Sequence, residues 1–348
     1  MTVQVTLPTF RRFVATVTLI VLPGWLPADD RSTAAPEADI RVAVTRGLQV
    51  LEKSARNYPE HRGCFSCHHQ TLPMLAVASA RERGFEIDED LFVAQARFTW
   101  ESFRGRIEPM REGNGIGGKS MTVGYGLWAL EIAKWKKDDV TSAMVSFLLK
   151  NQNEDGSWSP PSNRPPLEHS NFTCTILAVY YARKYADDDQ KADVEKAADR
   201  AKEWLLRQEA KTQEDLVSRL GALVLMGSSR ADVETERDSI LASQHDDGGW
   251  AQLSDMKSDA YATGLTLFTL QRIGLPTTHA AYRRGIRFLL GRQDKDGSWF
   301  VKSRSKPIQK FFDNGDPHGP DQFISIPATS WATTALTLAL PRRKVRRF

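Results

Sequence analysis

Apolar residues recur along most of the chain with helical spacing, and they form two alternating kinds of segment. One kind is amphipathic: in 40–54, Val44, Leu48 and Leu51 share one face, as expected for a helix with one buried side. The other kind is apolar nearly all round, as in 259–273, which favours a helix enclosed by other helices. This alternation predicts six helix pairs, each with an outer amphipathic and an inner apolar member. The predicted pairs are 40–54 with 70–83, 88–103 with 121–134, 139–150 with 171–185, 191–207 with 215–226, 233–243 with 259–273, and 277–291 with 329–340.

A short phrase recurs after three of the outer segments: Gln, three residues, Gly, one residue, Trp. Its copies are 152–158, 244–250 and 293–299, and a partial copy at Gln208 lacks the Gly and the Trp. The Gly allows a turn with positive φ, the Gln can satisfy unpaired groups at a helix end, and the Trp covers the joint with a large apolar face. Because the phrase contains no nucleophile or base, it indicates architecture. Irregular periods of this size predict a helical repeat array with insertions.

The three phrases resemble the QW motifs of the squalene–hopene cyclase and oxidosqualene cyclase family. That family is built from α/α-toroid domains, a fold shared with protein prenyltransferase β subunits. The resemblance implies an all-α fold, an α6/α6 toroid of six outer and six inner helices, over 40–341. The full cyclases carry two toroid domains, and this chain has room for one. Closing the ring would remove the exposed ends that an open repeat array must cap.

The first residues differ in composition from the rest of the chain. Arg11 and Arg12 precede a short apolar run at 13–22, and the small residue Ala28 follows a segment with two prolines. A basic start, a short apolar stretch and a small-residue exit predict a secretory signal peptide over 1–28. The protein is therefore expected to be exported to the periplasm or another extracytoplasmic compartment. An uncleaved N-terminal membrane anchor is the alternative.

Charge is nearly balanced over the whole chain. Lys and Arg number 47 against 43 Asp and Glu, for a net charge of +4 at pH 7. Residues 29–39 are interpreted as a flexible polar lead-in, and 342–348 as a solvated basic tail. Because no basic stripe is interleaved with aromatic residues, no nucleic-acid partner is expected.

The sharpest local motif is Cys-x-x-Cys-His-His at 64–69. Cys64, Cys67 and His68 match the attachment signature of c-type haem, in which both thiols bind the porphyrin and the His binds iron. Two other interpretations stay open. The two cysteines could form a disulfide in an oxidising compartment, or they could bind zinc together with His68 and His69. Cys174 lies in a predicted inner helix and is interpreted as a small core residue.

The string at 113–120 matches the phosphate-binding pattern Gly-x4-Gly-Lys-Ser. Such a loop should follow a buried strand, but 104–112 is polar and has no strand pattern. An exported protein also meets little ATP. The segment is therefore predicted to be a glycine-rich loop that leads into the second inner helix, and no ATP binding is expected.

Polar and aromatic residues near the starts of inner helices are the candidates for a ligand site in the central cavity of a toroid. The cavity candidates are Asp255, His318, Asp321, Tyr261 and Trp331. The cyclases protonate an alkene with the central acid of an Asp-x-Asp-Asp motif, which this sequence lacks. Asp259 and His169 are the substitutes proposed for catalysis, although Asp is also an ordinary helix N-cap. The zinc-binding Asp-x-Cys pair of the prenyltransferases is also absent.

Three functions follow as hypotheses. The first is an exported, squalene-cyclase-like toroid that binds an apolar, isoprenoid ligand in its central cavity, with cyclase activity left uncertain. The second is a redox protein that carries c-type haem through Cys64, Cys67 and His68. The third is a scaffold whose rim binds another envelope protein.

Overall fold

The protein is described by a computed structural model that covers residues 34–308 and 310–342. The predicted signal peptide, residues 29–33 of the lead-in and all but the first residue of the basic tail lie outside these residues. The helices of the described part are α1 (Glu37–His61), α2 (Leu72–Arg81), α3 (Glu89–Arg104), α4 (Ile107–Arg111), α5 (Lys119–Ile132), α6 (Asp139–Lys150), α7 (Asn171–Tyr185), α8 (Lys191–Arg207), α9 (Gln213–Leu225), α10 (Arg230–Ala242), α11 (Ala260–Arg272), α12 (Ala280–Arg292) and α13 (Gln322–Ala339).

The helices form the predicted α/α-toroid. The inner helices α2, α5, α7, α9, α11 and α13 each contact the next, and α13 contacts α2, so that the inner ring closes. The outer helices α1, α3, α6, α8, α10 and α12 pack around this ring. Among the described residues, no helix has the length and apolarity needed to cross a membrane.

The helix boundaries depart from the sequence prediction at several places. Helix α1 continues to His61, seven positions past its predicted end, and includes Pro59. A π-helical turn, Cys67–Thr71, precedes α2, and the short helix α4 was not predicted. Helix α13 begins at Gln322, seven positions before the predicted start, and includes Pro327 in its interior. Proline normally ends a helix pattern. Burial of α13 between α11, α2 and α1 keeps this segment helical despite the lost hydrogen bond.

The repeated phrase forms the corner between an outer helix and the following inner helix. In the first copy, Nε2 of Gln152 donates to the carbonyl of Gly156 at 2.8 Å and to that of Ala197 in α8 at 2.7 Å. The buried indole of Trp158 donates to the carbonyl of Leu148 at 2.8 Å. One corner therefore ties its own loop, the preceding outer helix and the next outer helix together.

The other two copies repeat these contacts atom for atom. Nε2 of Gln244 donates to Gly248 and Ala281, and Nε2 of Gln293 donates to Gly297 and Ala43. The indoles of Trp250 and Trp299 donate to Ile240 and Leu289, each at 2.8 Å.

The third corner closes the ring, because its partner is the first outer helix. Gly297 has a φ of +96°, and a Cβ added there would lie 2.7 Å from the carbonyl oxygen of Arg46 in α1. Only a glycine fits both the left-handed conformation and this close approach. The guanidinium of Arg46 in turn donates to the carbonyl of Asp294 at 3.0 Å.

Aromatic side chains fill the centre of the ring. The ring of Trp128 in α5 lies 6.1–6.4 Å from those of Tyr181, Phe268 and Trp331, which belong to three other inner helices. Helices α5 and α11 stand on opposite sides of the ring, so these side chains span its lumen. The expected central cavity is thus occupied by packed aromatic residues at this level. Open space is found instead at one end of the ring.

Candidate functional site

A cavity of about 780 Å³ lies at the end of the ring where inner helices begin. Its walls come from the loops that lead into α2, α5, α7 and α13. A volume of this size lies in the range of cofactor and ligand pockets. The whole Cys-x-x-Cys-His-His motif lines this cavity.

The two thiols of the motif lie at different depths in this cavity. Cys64 is exposed, with its sulfur 4.0 Å from the hydroxyl of Tyr58, and Cys67 is buried at the start of the π-helical turn. Both are free thiols in this structure, as is Cys174 in the core of α7. Burial raises the pKa of the Cys67 thiol, and the negative charge of Glu168 raises it further.

His68 lines the cavity beside these thiols. Oγ of Ser66 lies 3.1 Å from its Nδ1, and the ring of Phe323 meets it edge-on at 4.8 Å. Burial in the protein, followed by the positive charge of Arg164, lowers the pKa of His68 to about 3. The imidazole is therefore neutral at physiological pH, the form that binds a metal.

His69 is tied into the surrounding structure. Its ring stacks on Tyr58 at 4.5 Å, its Nε2 contacts the side-chain amide of Asn314, and its Nδ1 lies 3.3 Å from Oγ of Ser66. The Asn314 amide also donates to Ser54 in α1 at 2.9 Å. His69 thus joins the motif to the loop before α13. In the described part of the chain, no three His, Cys, Asp or Glu side chains are grouped to hold a metal ion. Metal binding by His68 and His69 stays a prediction.

The remaining cavity wall is apolar with a basic component. Its basic side chains are Arg106, Arg164, Lys306 and Lys310, and its acidic ones are Glu168 and Asp321. Its large apolar residues are Phe65, Phe103, Ile116, Ile308, Phe311, Phe312 and Phe323. This composition suits an amphipathic ligand with an apolar body and an anionic end. Of these residues the sequence analysis named only Asp321, although the two Lys and three large apolar residues within 306–312 were a visible signal.

The residues proposed for catalysis lie apart from the large cavity. Asp259 is the N-cap of α11: it accepts hydrogen bonds from the amide of Ala262 and from Nε2 of Gln252, both at 2.9 Å. Burial raises the pKa of Asp259 to about 6, against the opposing effect of these bonds. His169 and Tyr261 border a separate void of about 10 Å³. The structure thus brings His169 and Tyr261 together, but not with the cysteine motif.

A second buried acid, Glu214, was missed by the sequence analysis. It lies at the start of α9 and accepts hydrogen bonds from the hydroxyls of Thr173 and Tyr261, each at 2.8 Å. Burial raises the pKa of Glu214 to about 7. Nothing in the local sequence distinguishes it from an ordinary helix-start Glu, since its burial depends on α7 and α11.

The other cavity candidates are dispersed. Asp321 lines the large cavity, where it accepts a bond from the amide of Ser303 at 2.8 Å. His318 bonds Oγ of Ser298 in the third corner at 2.7 Å. Asp255 is exposed, and Trp331 belongs to the aromatic cluster of the lumen.

The glycine-rich string at 113–120 adopts a loop between α4 and α5. Gly113 and Gly115 both have positive φ, and a helix precedes the loop where a phosphate-binding fold would have a strand. This is the structural context predicted for it. Gly117 and Gly118 line the large cavity.

The closed ring of six inner helices, with six outer helices around it, is the α/α-toroid fold. No protein-family profile matches this chain, and no curated protein matches it. Several solved structures, however, are similar to this chain. The type II terpene cyclase MstE from Scytonema, without ligand, is similar with a TM-score of 0.57 and 12% identity, over 87% of this chain and 98% of that chain.

Two further structures agree with this likeness. A variant of MstE in complex with its substrate, geranylgeranyl dihydroxybenzoate, has a TM-score of 0.55 at 14% identity, over 87% of this chain and 98% of that chain. A possible member of the GH105 family from Klebsiella pneumoniae has a TM-score of 0.52 at 13% identity, over 91% and 98%. At these identities the likeness shows the terpene-cyclase-like toroid fold alone.

Proposed function

We propose that this protein is an exported α/α-toroid that carries a covalently attached c-type haem. The observation that supports the proposal is that Cys64, Cys67 and His68 all line one cavity of about 780 Å³. Free thiols at both cysteine positions are the groups that haem attachment requires. The proposal includes export, because the signal-like start of the chain would bring it to the compartment where such attachment takes place.

The residues of the cavity fit a haem in three respects. The neutral His68 offers a nitrogen ligand for iron, and Ser66 is placed to orient its ring. The aromatic side chains provide an apolar wall for the porphyrin, and the basic side chains suit its two propionates. When bound, haem would supply a reversible one-electron couple, whose potential depends on the axial ligands and on solvent exposure.

The test is the visible spectrum of the full chain, produced in a host that assembles c-type cytochromes and then denatured. We expect a Soret band that stays with the denatured polypeptide. A Cys64→Ala/Cys67→Ala variant should lose this band. Cys174→Ala, which changes the third cysteine in the core of α7, should keep it. A colourless wild-type chain from such a host would overturn the proposal.

A second candidate function is binding of an isoprenoid compound, with or without cyclisation. It is supported by the aromatic wall of the cavity and by the fold likeness to MstE, which was solved with a geranylgeranyl substrate. In this candidate Asp259, whose pKa is raised to about 6, is the proposed acid, and His169 is the second residue proposed for catalysis.

Incubation with squalene and with geranylgeranyl compounds, followed by analysis of extracted products, tests this candidate. If the protein is a cyclase of this kind, Asp259→Asn should abolish turnover while keeping the N-cap, because Asn caps helices as well as Asp. Failure to bind or convert any of these compounds would exclude the candidate.

A further inference from the structure

We infer that the basic side chains of the large cavity form a carboxylate-binding subsite, so that its natural ligand is an amphipathic acid. This deepens the proposed function, since it concerns the same cavity, but it does not depend on iron. The subsite consists of Arg164, Arg106 and Lys306, and Phe323 is the apolar surface beside it. A haem with two propionates and a prenylated carboxylic acid share this chemistry.

Arg164 is the most buried member of the subsite. Its guanidinium carbon lies 4.1 Å above the ring of Phe323, and its Nη1 lies 3.1 Å from Oε2 of Glu168. Its side chain is only 13% exposed, and its buried Nε has no hydrogen-bond partner among the described residues. A fixed guanidinium with an unused donor is a typical carboxylate-recognition group, because its planar fork matches two oxygens.

The charges of the cavity are unbalanced in favour of an anion. Glu168 is committed to Arg164 and to the hydroxyl of Ser162, and Asp321 accepts from a backbone amide. In the described part of the chain, Arg106 and Lys306 have no ion pair with an acidic side chain. Both side chains are exposed to solvent, and their positive charge lacks a counter-charge from the described carboxylates. An anionic ligand group would supply it.

The position of the subsite relative to the cysteine motif is set by Phe323. Its ring contacts the imidazole of His68 at 4.8 Å on one side and the Arg164 guanidinium at 4.1 Å on another. A flat ligand held beside His68 would therefore reach Arg164 with a short acidic arm. Two acidic arms would suit the additional charges of Arg106 and Lys306.

The test compares each acid with a neutral relative, using the full chain produced without haem attachment. One pair is protoporphyrin IX and its dimethyl ester. The other pair is geranylgeranoic acid and geranylgeraniol. Binding is followed by quenching of tryptophan fluorescence and by calorimetry. We expect at least one acid to bind ten-fold or more tightly than its neutral partner, with a preference that weakens as salt is added.

Variants separate the subsite from general surface charge. Arg164→Gln and Lys306→Gln should each reduce the preference for the acid to threefold or less. Lys302→Gln is the matched control, because Lys302 is an exposed lysine of the same loop that does not line the cavity. Arg164→Gln could fail to fold. In that case the subsite is tested by the wild-type acid-to-neutral ratios and by comparing Lys306→Gln with Lys302→Gln.

The outcomes separate this inference from the haem proposal. Preference for protoporphyrin IX supports both. Preference for the prenyl acid with no porphyrin binding supports the subsite and counts against haem. Equal binding of acid and neutral partner, or no binding of either acid, overturns the subsite even if a covalent haem is found by the denatured spectrum.

Discussion

The corners at one end of the ring divide into two kinds, those with and those without the Gln–Gly–Trp phrase. Three corners, after α6, α10 and α12, carry the Gln–Gly–Trp phrase and are closed by hydrogen bonds to the next outer helix. The corners after α1 and α3 lack the phrase. They hold the cysteine motif and the glycine-rich loop, and both line the cavity.

The two kinds of corner differ in whether their polar side chains have hydrogen-bond partners in the protein. In a closed corner the Gln amide and the Trp indole have partners, and the glycine leaves no room for a side chain. In the open corners a thiol and a neutral imidazole line the cavity. The loops after α6 and α12 also reach it, but only with residues that follow the phrase, such as Arg164. The phrase thus closes some corners of the ring, and the corners without it border the open space at its end.

The two regions should differ most in how much the free energy of unfolding falls when an aromatic side chain is removed. Trp299→Ala should lower the free energy of unfolding by about 3–5 kcal/mol, because a fully buried indole and its hydrogen bond are lost where the ring closes. Phe311→Ala, at the cavity mouth and 50% exposed, should change it by less than about 0.5 kcal/mol. Urea unfolding followed by circular dichroism measures both. Equal losses would contradict the contrast.

The remaining corner, after α8, has the partial phrase at Gln208 and leads to the buried acid Glu214. Because the pKa of Glu214 is raised to about 7 by burial, the folded state binds a proton that the unfolded state has released above about pH 4.5. The contribution of Glu214 to the free energy of unfolding is therefore fully present below about pH 4.5 and is lost as pH rises through 7. The loss is on the order of 3 kcal/mol.

Glu214→Gln tests this dependence, since the amide has no charge to bury. The variant should unfold with a free energy that changes less between pH 5 and pH 8 than that of the wild type. The wild-type and variant pH profiles, measured by urea unfolding, would be parallel if Glu214 remained ionised in the folded protein.

A comparison of two glycines has a smaller expected effect on the free energy of unfolding. Gly297→Ala should cost about 2 kcal/mol, because the residue must keep a positive φ and its Cβ would meet the Arg46 carbonyl. Gly117→Ala, in the cavity wall, should be within about 0.5 kcal/mol of wild type, because its Cβ meets no atom within 4 Å. Thermal unfolding of the two variants side by side gives the answer, and a larger loss for Gly117→Ala would be the contrary result.

The smallest expected difference in unfolding free energy is between the Gln of an intact phrase and the Gln of the partial phrase. Gln293→Ala should cost about 1–2 kcal/mol, since two backbone carbonyls lose their donor. Gln208→Ala should be close to neutral, because this side chain is exposed. Chemical unfolding of both variants would show similar losses only if the partial copy still acts as a joint.

The fold could be predicted from sequence because its signals are local. Helical periodicity marked the twelve helices of the ring, the repeated phrase indicated a helical repeat array, and its resemblance to the QW motifs implied the closed toroid that the structure shows. The start of α13 was placed too late because Pro327 normally ends a helix, and only the surrounding helices keep that segment helical. The short helix α4 has too few residues to produce a periodic signal.

The candidate site was predictable only in part. Cys64, Cys67 and His68 are recognisable because they are adjacent in sequence, and Asp321 was also named in advance. Arg106, Arg164 and Lys306 come from three different loops, so that no spacing connects them. Asp259 and His169 were chosen by their position at inner-helix starts, yet such starts also need N-caps, and Asp259 is one.

The sequence by itself therefore determined the toroid, its closed corners and the presence of a thiol–imidazole motif, because helical periodicity and short motifs are properties of neighbouring residues. Only the tertiary structure decided that aromatic side chains fill the lumen and that the cavity opens at the end of the ring. It also decided which charges face that cavity and that Glu214 is buried. These features arise where residues far apart in the chain meet, and burial, charge balance and free volume exist only after the ring has closed.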